Sequence, residues 1–247
     1  MRLLASLRTA VAFLTRLPVG SDADHRFLAG STAWFSLVGI GIGAVAALPF
    51  FWMPDRYAAL VSILITVLVT GALHEDGFAD TCDGVFGGAD PESRRAIMRD
   101  SRIGAYGAIG LWLLLAARWL LLNDLAAVPW TLAVATGFSR TAAVWLLANQ
   151  RPETTPYPLA KCSSAFGAVG WGQALICFGI AVGGAWLVFP SLPTVAFCAG
   201  IAIALSGLCG MFLRAKLGRL SGDALGAVIA LVELGCLAGM AILRNAG

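Results

Sequence analysis

Seven stretches of this chain are apolar enough, and close enough to twenty residues long, to cross a bilayer. Nothing else in the sequence constrains its fold so tightly. They cover about 33–53, 57–74, 103–122, 130–149, 167–189, 193–213 and 223–243. A helix rising about 1.5 Å per residue needs roughly 20 such residues to span hydrocarbon ~30 Å thick. The chain is 59% hydrophobic and 13% charged, against about 25% charged in a soluble domain, and its mean hydropathy is +0.82. The fold class these runs predict is all-α: a polytopic helical bundle in a lipid bilayer, one domain over residues 1–247.

Residues 1–17 are of a different kind. Leu3, Leu7, Val11, Leu14 and Leu17 recur at helical spacing, with Arg2, Thr9 and Arg16 on another face. That pattern suits an amphipathic helix lying in the interface, ended by Pro18 and Gly20. Arg8 and Arg16 interrupt the apolar run and no small-residue cleavage site follows, which argues against a targeting signal. Of the 17 Lys and Arg residues, 13 fall in the N-terminal region and the second, fourth and sixth loops, and two on the opposite side. Arg118 and Arg140 lie inside spans. The positive-inside rule then predicts a cytoplasmic N-terminus and an outside C-terminus.

Some chemistries drop out at this stage. The six cysteines form no CxxC pair and only His25 and His74 are present, so neither a disulfide framework nor a zinc or histidine-rich centre is expected. Trp and Phe near span ends read as interface anchors, not as base-stacking platforms, so no nucleic acid is expected as a partner. The pairs Gly39/Gly43, Gly179/Gly183 and Gly235/Gly239 have the spacing that lets helices approach closely in lipid.

Against this background His74-Glu75-Asp76-Gly77-Phe78-Ala79-Asp80-Thr81-Cys82-Asp83-Gly84 stands out, with four of the chain's 14 carboxylates in eleven residues. Ionisable groups clustered in such surroundings point to a site. If the second span continues as helix through Asp83, then Asp76, Asp80 and Asp83 stand at i, i+4 and i+7, within about 60° of one another. Glu75 points about 100° away from Asp76 and is left out. Three carboxylates on one face repel unless a cation lies among them, and oxygen-only ligands suit Mg²⁺.

Downstream, Asp90-Pro91-Glu92 reads as an N-cap followed by proline at the first helical position, opening a helix that runs on into the third span. On it Arg95, Arg99 and Arg102 share one stripe, and Asp100, Gly104 and Gly107 another. Acids on one helix facing an acid and arginines on the next suit diphosphate chemistry, with Asp100 as a further metal ligand. Arg140, beside Ser139, is either a phosphate contact or half of a buried ion pair. Lys161 lies in a polar loop that covers the site or only connects two spans. Ser221-Gly222-Asp223 opens the last helix, as an N-cap or as a catalytic carboxylate. Glu233, ten residues on, should be mid-membrane, protonated or paired.

The acidic stretch closely resembles the signature of the cobalamin synthase family, the adenosylcobinamide-GDP ribazoletransferases. The likeness extends to Thr15-Arg16-Leu17-Pro18, Val38-Gly39, and Ile97-Met98-Arg99-Asp100-Ser101-Arg102-Ile103-Gly104. Ser139-Arg140 and Gly222-Asp223-Ala224-Leu225-Gly226-Ala227 with Glu233 fit as well. Glu75 and Cys82 depart from it, standing where an apolar and a small residue are expected, as does Arg219-Leu220 before Ser221. The resemblance implies a Mg²⁺-dependent transferase of the bacterial cytoplasmic membrane. It would join adenosylcobinamide-GDP to α-ribazole or its 5′-phosphate, releasing GMP. On that reading Asp76, Asp80, Asp83 and Asp100 hold the metal and Asp100 or Asp223 handles the acceptor's proton. Arg95, Arg99, Arg102, Arg140 and Lys161 meet phosphate. A lipid-alcohol phosphotransferase or an ion-coupled transporter also fits parts of the pattern, though transport gives no reason for three aspartates beside an arginine stripe.

Overall fold

The computed structural model describes residues 2–19, 28–126, 128–149 and 169–246. Its elements follow from where apolar runs meet helix breakers. Helix α1 (Arg2–Leu14) precedes α2, a span over Leu28–Phe51 with a 3-10 turn near each end. Next come α3 (Asp55–Thr70), α4 (Leu73–Gly87), α5 (Pro91–Ile97), α6 (Ala105–Asp124) and α7 (Thr131–Ala148). The chain closes with α8 (Trp171–Val188), α9 (Leu192–Leu217) and α10 (Gly222–Ala246). No strand occurs among the described residues. Helices α2, α6, α7, α8, α9 and α10 are each long and apolar enough to cross a membrane, and α3 with α4, bent by 89° between them, counts as a seventh if the pair is one span. The molecule is therefore the all-α polytopic bundle its apolar runs predict.

Helix α7 is the hub. Every residue from Thr131 to Leu147 is buried except Trp145, and α2, α8, α9 and α10 pack around it. Small residues make this possible in lipid, where helix association rests on close packing. A methyl group added to Gly39 would stand 2.5 Å from the Thr136 carbonyl oxygen, and one on Gly43 would stand 2.6 Å from Ala133 Cα. Gly235 and Gly239 do the same for α10 on α9, facing Leu205, Ile201 and Phe197. Gly179 and Gly183 do not; they face open space on α8. The outer faces are apolar instead: Leu60, Leu64 and Leu68 line the exposed side of α3, and Trp112 and Leu113 that of α6.

Three local expectations change. Helix α1 ends at Leu14, not Leu17, because the Arg16 N–H leaves its own helix to donate to the Val69 carbonyl at 2.8 Å, and Pro18 follows with no N–H to give. It also docks, burying Ala10 and Leu14 against Phe35, Val38 and Ile42, while Leu3 and Leu4 stay exposed. The second span does not continue as one helix through Asp83: Gly71 and Ala72 are both left-handed (φ +66° and +58°) and α4 leaves α3 at 89°. Nor does the helix opened by Asp90 run into the third span. It stops at Ile97, and α6 starts afresh at Ala105. Lys161 and the polar loop around it lie outside the described residues.

Candidate active site

Helix α4 carries the acidic stretch, and its direction is set by the two left-handed residues before it. Glycine adopts that conformation freely, whereas Ala72 bears a steric cost of roughly 1–2 kcal/mol. No side chain caps the N-terminus of α4, but Glu75 and Asp76 occupy its first turn, where the helix dipole favours negative charge. Because α4 is continuous from Leu73 to Gly87, Asp76, Asp80 and Asp83 keep the spacing read from the sequence. Their surroundings differ. Asp76 is exposed, Asp80 half-buried and Asp83 buried.

Asp223 joins the first two. A methyl on Gly77 of α4 would stand 2.7 Å from the Asp223 carbonyl oxygen and 2.9 Å from its Cα, and one on Gly226 would be in ordinary contact with α4, 3.5 Å from His74 Cα and 3.7 Å from Gly77 Cα. The paired glycines bring the start of α10 against α4, so Asp80 lies in the field of Asp76, Asp83 and Asp223. Capping of α10 falls to Ser221, whose hydroxyl accepts the Ala224 N–H at 3.2 Å. Asp223, whose carboxyl also meets Ser221 and its own backbone N–H, lies beside Asp76.

Asp83 is turned elsewhere. Its Oδ2 accepts the Gly104 N–H at 2.7 Å and its Oδ1 the Gly107 N–H at 2.8 Å. It serves as the N-cap that α6 lacks in its own sequence, a carboxylate at the positive end of a helix. Gly104 and Gly107 leave room for that carboxylate, since a methyl on either would collide with Asp83. Asp100 sits in the turn before α6, its carboxylate gripped by Arg102 at 2.6 Å; both are on the surface. The Arg102 hydrogen bonds hold the Asp100 carboxyl down at about 2. Asp90 caps α5 as its sequence predicts, accepting the Glu92 and Ser93 N–H groups, and these bonds keep its carboxyl below the usual range.

The arginine stripe is dispersed by the break at Ile97. Arg94 donates to the Lys216 carbonyl at 3.1 Å, and Arg95 donates to the Leu217 carbonyl. Both clamp α5 onto the negative end of α9. Arg102 is taken by Asp100. Arg99 is exposed, and among the described residues its side chain has no partner. Arg140 is buried, 1% exposed, and donates to Glu233 Oε2 at 2.6 Å and to the Ser139 hydroxyl at 2.8 Å. Of its two readings, the buried ion pair is the one realised.

That pair belongs to a larger chain of charge. Arg118 of α6 donates to Glu75 of α4 and to Glu233 of α10, each at 2.6 Å, and Glu233 passes the connection to Arg140 of α7. All four side chains are at least 94% buried. His74 lies beside Arg118 and Arg140, and its Nε2, Glu75 Oε2, Arg118 Nε and Arg140 Nε are buried without hydrogen-bond partners.

Comparison with known proteins bears directly on this geometry. The family model described as cobalamin-5-phosphate synthase matches residues 6–241. The chain belongs to this family. An adenosylcobinamide-GDP ribazoletransferase of Shewanella denitrificans is 36% identical, covering 96% of this chain and 93% of its own. Its namesake in Shewanella halifaxensis is 33% identical over 92% and 91%, and one from Escherichia coli K12/DH10B 34% identical over 91% and 94%. No solved structure matches the chain. The family's description and the relatives' names together make the chain a transferase of cobalamin synthesis. The acidic stretch, the Gly104 turn and the Gly222–Ala227 segment, distant in sequence, meet here around α4. Sequence reasoning missed Glu75 and Arg118. The available signal was two arginines and two glutamates of opposite charge at or inside apolar spans, which hydrocarbon obliges to find one another.

Proposed function

We propose that this chain transfers the cobinamide phosphoryl group of adenosylcobinamide-GDP to a hydroxyl of α-ribazole or its 5′-phosphate. The products are adenosylcobalamin, or its 5′-phosphate, and GMP. The supporting observation is the gathering of Asp76, Asp80 and Asp223, from two helices, at the end of the bundle where α5 and its loop lie. The acceptor oxygen attacks the corrinoid-linked phosphorus and the bond from that phosphorus to the bridging oxygen breaks. GMP leaves with the bridging oxygen.

The donors present fit Mg²⁺. They are oxygens only, which hard cations prefer, and among the described residues neither Asp76 nor Asp80 has an ion-pair partner. No three acidic, His or Cys side chains among the described residues form a ready-made cage. Mg²⁺ does not require one, since it commonly takes one or two carboxylates and completes its shell with water and substrate phosphate. Asp76 and Asp80 would hold it. When bound, the ion offsets the negative charge that gathers on the transferring phosphate.

Asp223, half-buried beside them, is positioned to take the acceptor's proton. Asp100 is a poor base, because Arg102 keeps it ionised and occupied. Arg99, exposed in the turn before α6 and without a partner among the described residues, is the cation left to meet phosphate. The charge bias of the loops supports a cytoplasmic location for this end of the bundle. Purified Asp80→Asn should release no GMP at any Mg²⁺ concentration; wild-type release would overturn the reading. Supplying a lipid alcohol in place of α-ribazole should give no product.

A further inference from the structure

We propose that Arg118 is a positioning residue for the carboxylate site: one guanidinium ties together the two helices that carry Asp76, Asp80 and Asp223. The proposal rests on the reading of that cluster as the reaction centre. Helix α4 follows two left-handed residues without a side-chain cap, and its contact with α10 runs through Gly77 and Gly226. Glycine contacts bring backbones close but supply no side chain to resist rotation. Rotation about the helix axis is fixed by directional bonds instead, and α4 has two toward α6. Glu75 meets Arg118 and Asp83 meets the α6 N-terminus, eight residues or about 12 Å apart, with Asp76 and Asp80 between them.

The second arm of Arg118 reaches Glu233, on the helix that begins with Asp223, while Arg140 holds the other Glu233 oxygen. Buried ion pairs are weak sources of stability, and apolar replacements of the same volume often fold as well or better. What the pair supplies is direction, because Glu75 immediately precedes Asp76.

The test is the neutral double substitution Glu75→Leu/Arg118→Leu, which removes two charges together and leaves Glu233 with Arg140. It is read by thermal unfolding, by Mn²⁺ binding through electron paramagnetic resonance without substrate, and by GMP release. The expected protein unfolds within a few degrees of wild type, binds Mn²⁺ at least tenfold more weakly, and loses at least tenfold in kcat with KM for the nucleotide substrate within about threefold. Wild-type kcat and Mn²⁺ affinity in the folded double variant would overturn the proposal. If wild-type protein itself binds no Mn²⁺, the metal reading fails separately and kcat alone decides on Arg118. Should the double variant not fold, Arg118→Lys serves. It keeps the buried charge but not the fork that reaches two carboxylates at once. Positioning requires a tenfold loss of kcat in folded protein, and retained kcat refutes it.

Discussion

At the residue scale the division of labour among five aspartates decides how the site works, and it can be measured. Asp83 spends both oxygens on backbone N–H groups of α6. Asp83→Asn keeps the shape but exchanges one acceptor oxygen for a donor and removes a charge from a helix N-terminus. It should cost about 1–2 kcal/mol in stability while the Mg²⁺ concentration for half-maximal GMP release stays within about twofold. Loss of Mg²⁺ dependence, as expected for Asp80→Asn, would instead return Asp83 to the metal site. Gly107→Ala should be worse than a usual surface change. Its methyl would meet Asp83 and stand 2.9 Å from the Ala79 carbonyl oxygen, an overpacking worth about 1–3 kcal/mol. Asp100 gives a pH test. Because Arg102 holds its carboxyl at about 2, it is ionised throughout the working range. Asp100→Asn should therefore leave the acid limb of the pH–rate profile where it is.

Elements explain why some of this was legible in the sequence and some was not. Spacing within one helix survives any change in that helix's direction, so Asp76, Asp80 and Asp83 keep their i, i+4, i+7 relation even though α4 turns 89° from α3 and Asp83 is drawn to α6. Spacing across a break does not survive, and Arg95, Arg99 and Arg102 were read as one stripe because nothing local announces the stop at Ile97. Proline and glycine mark most ends here; the α3–α4 corner is half-marked, by Gly71 but also by Ala72, a residue that avoids positive φ. Glu233 shows the same limit from the other side. Its depth was readable from position, whereas its partners on α6 and α7 depend on tertiary packing. Removing its charge by Glu233→Gln leaves the buried Arg140 without a counter-charge and Arg118 with Glu75 alone. A loss of about 3–5 kcal/mol follows, seen as a fall in the unfolding midpoint of roughly 10 °C at about 2–4 °C per kcal/mol. Ala72→Gly, by contrast, relieves a strained backbone and should hold or raise that midpoint.

For the molecule as a whole, the two ends of the bundle differ in kind, and that difference carries the topology. At one end the α9 C-terminus, the α5 arginines, Ser221 and the carboxylates of α4 and α10 are gathered. At the other, Arg244 donates to the Asp124 carbonyl where α10 meets the end of α6. If α3 and α4 together make one span, seven crossings put these ends on opposite sides, and the basic residues of the α4–α6 and α9–α10 connections, Arg94, Arg95, Arg99, Arg102, Arg214, Lys216 and Arg219, belong to the carboxylate end. Anionic substrates made in the cytoplasm need no transport if that side faces inward, and a nucleoside phosphate would be released where it can be reused. Reporter fusions check this directly. A periplasm-active phosphatase inserted after Pro190, in the turn between α8 and α9, should be active, and one inserted after Asp90 should be silent. A fluorescent protein that matures only in the cytoplasm should give the reverse at both points. The opposite result would turn the carboxylates outward and leave the loops' positive charge against the rule that governs insertion.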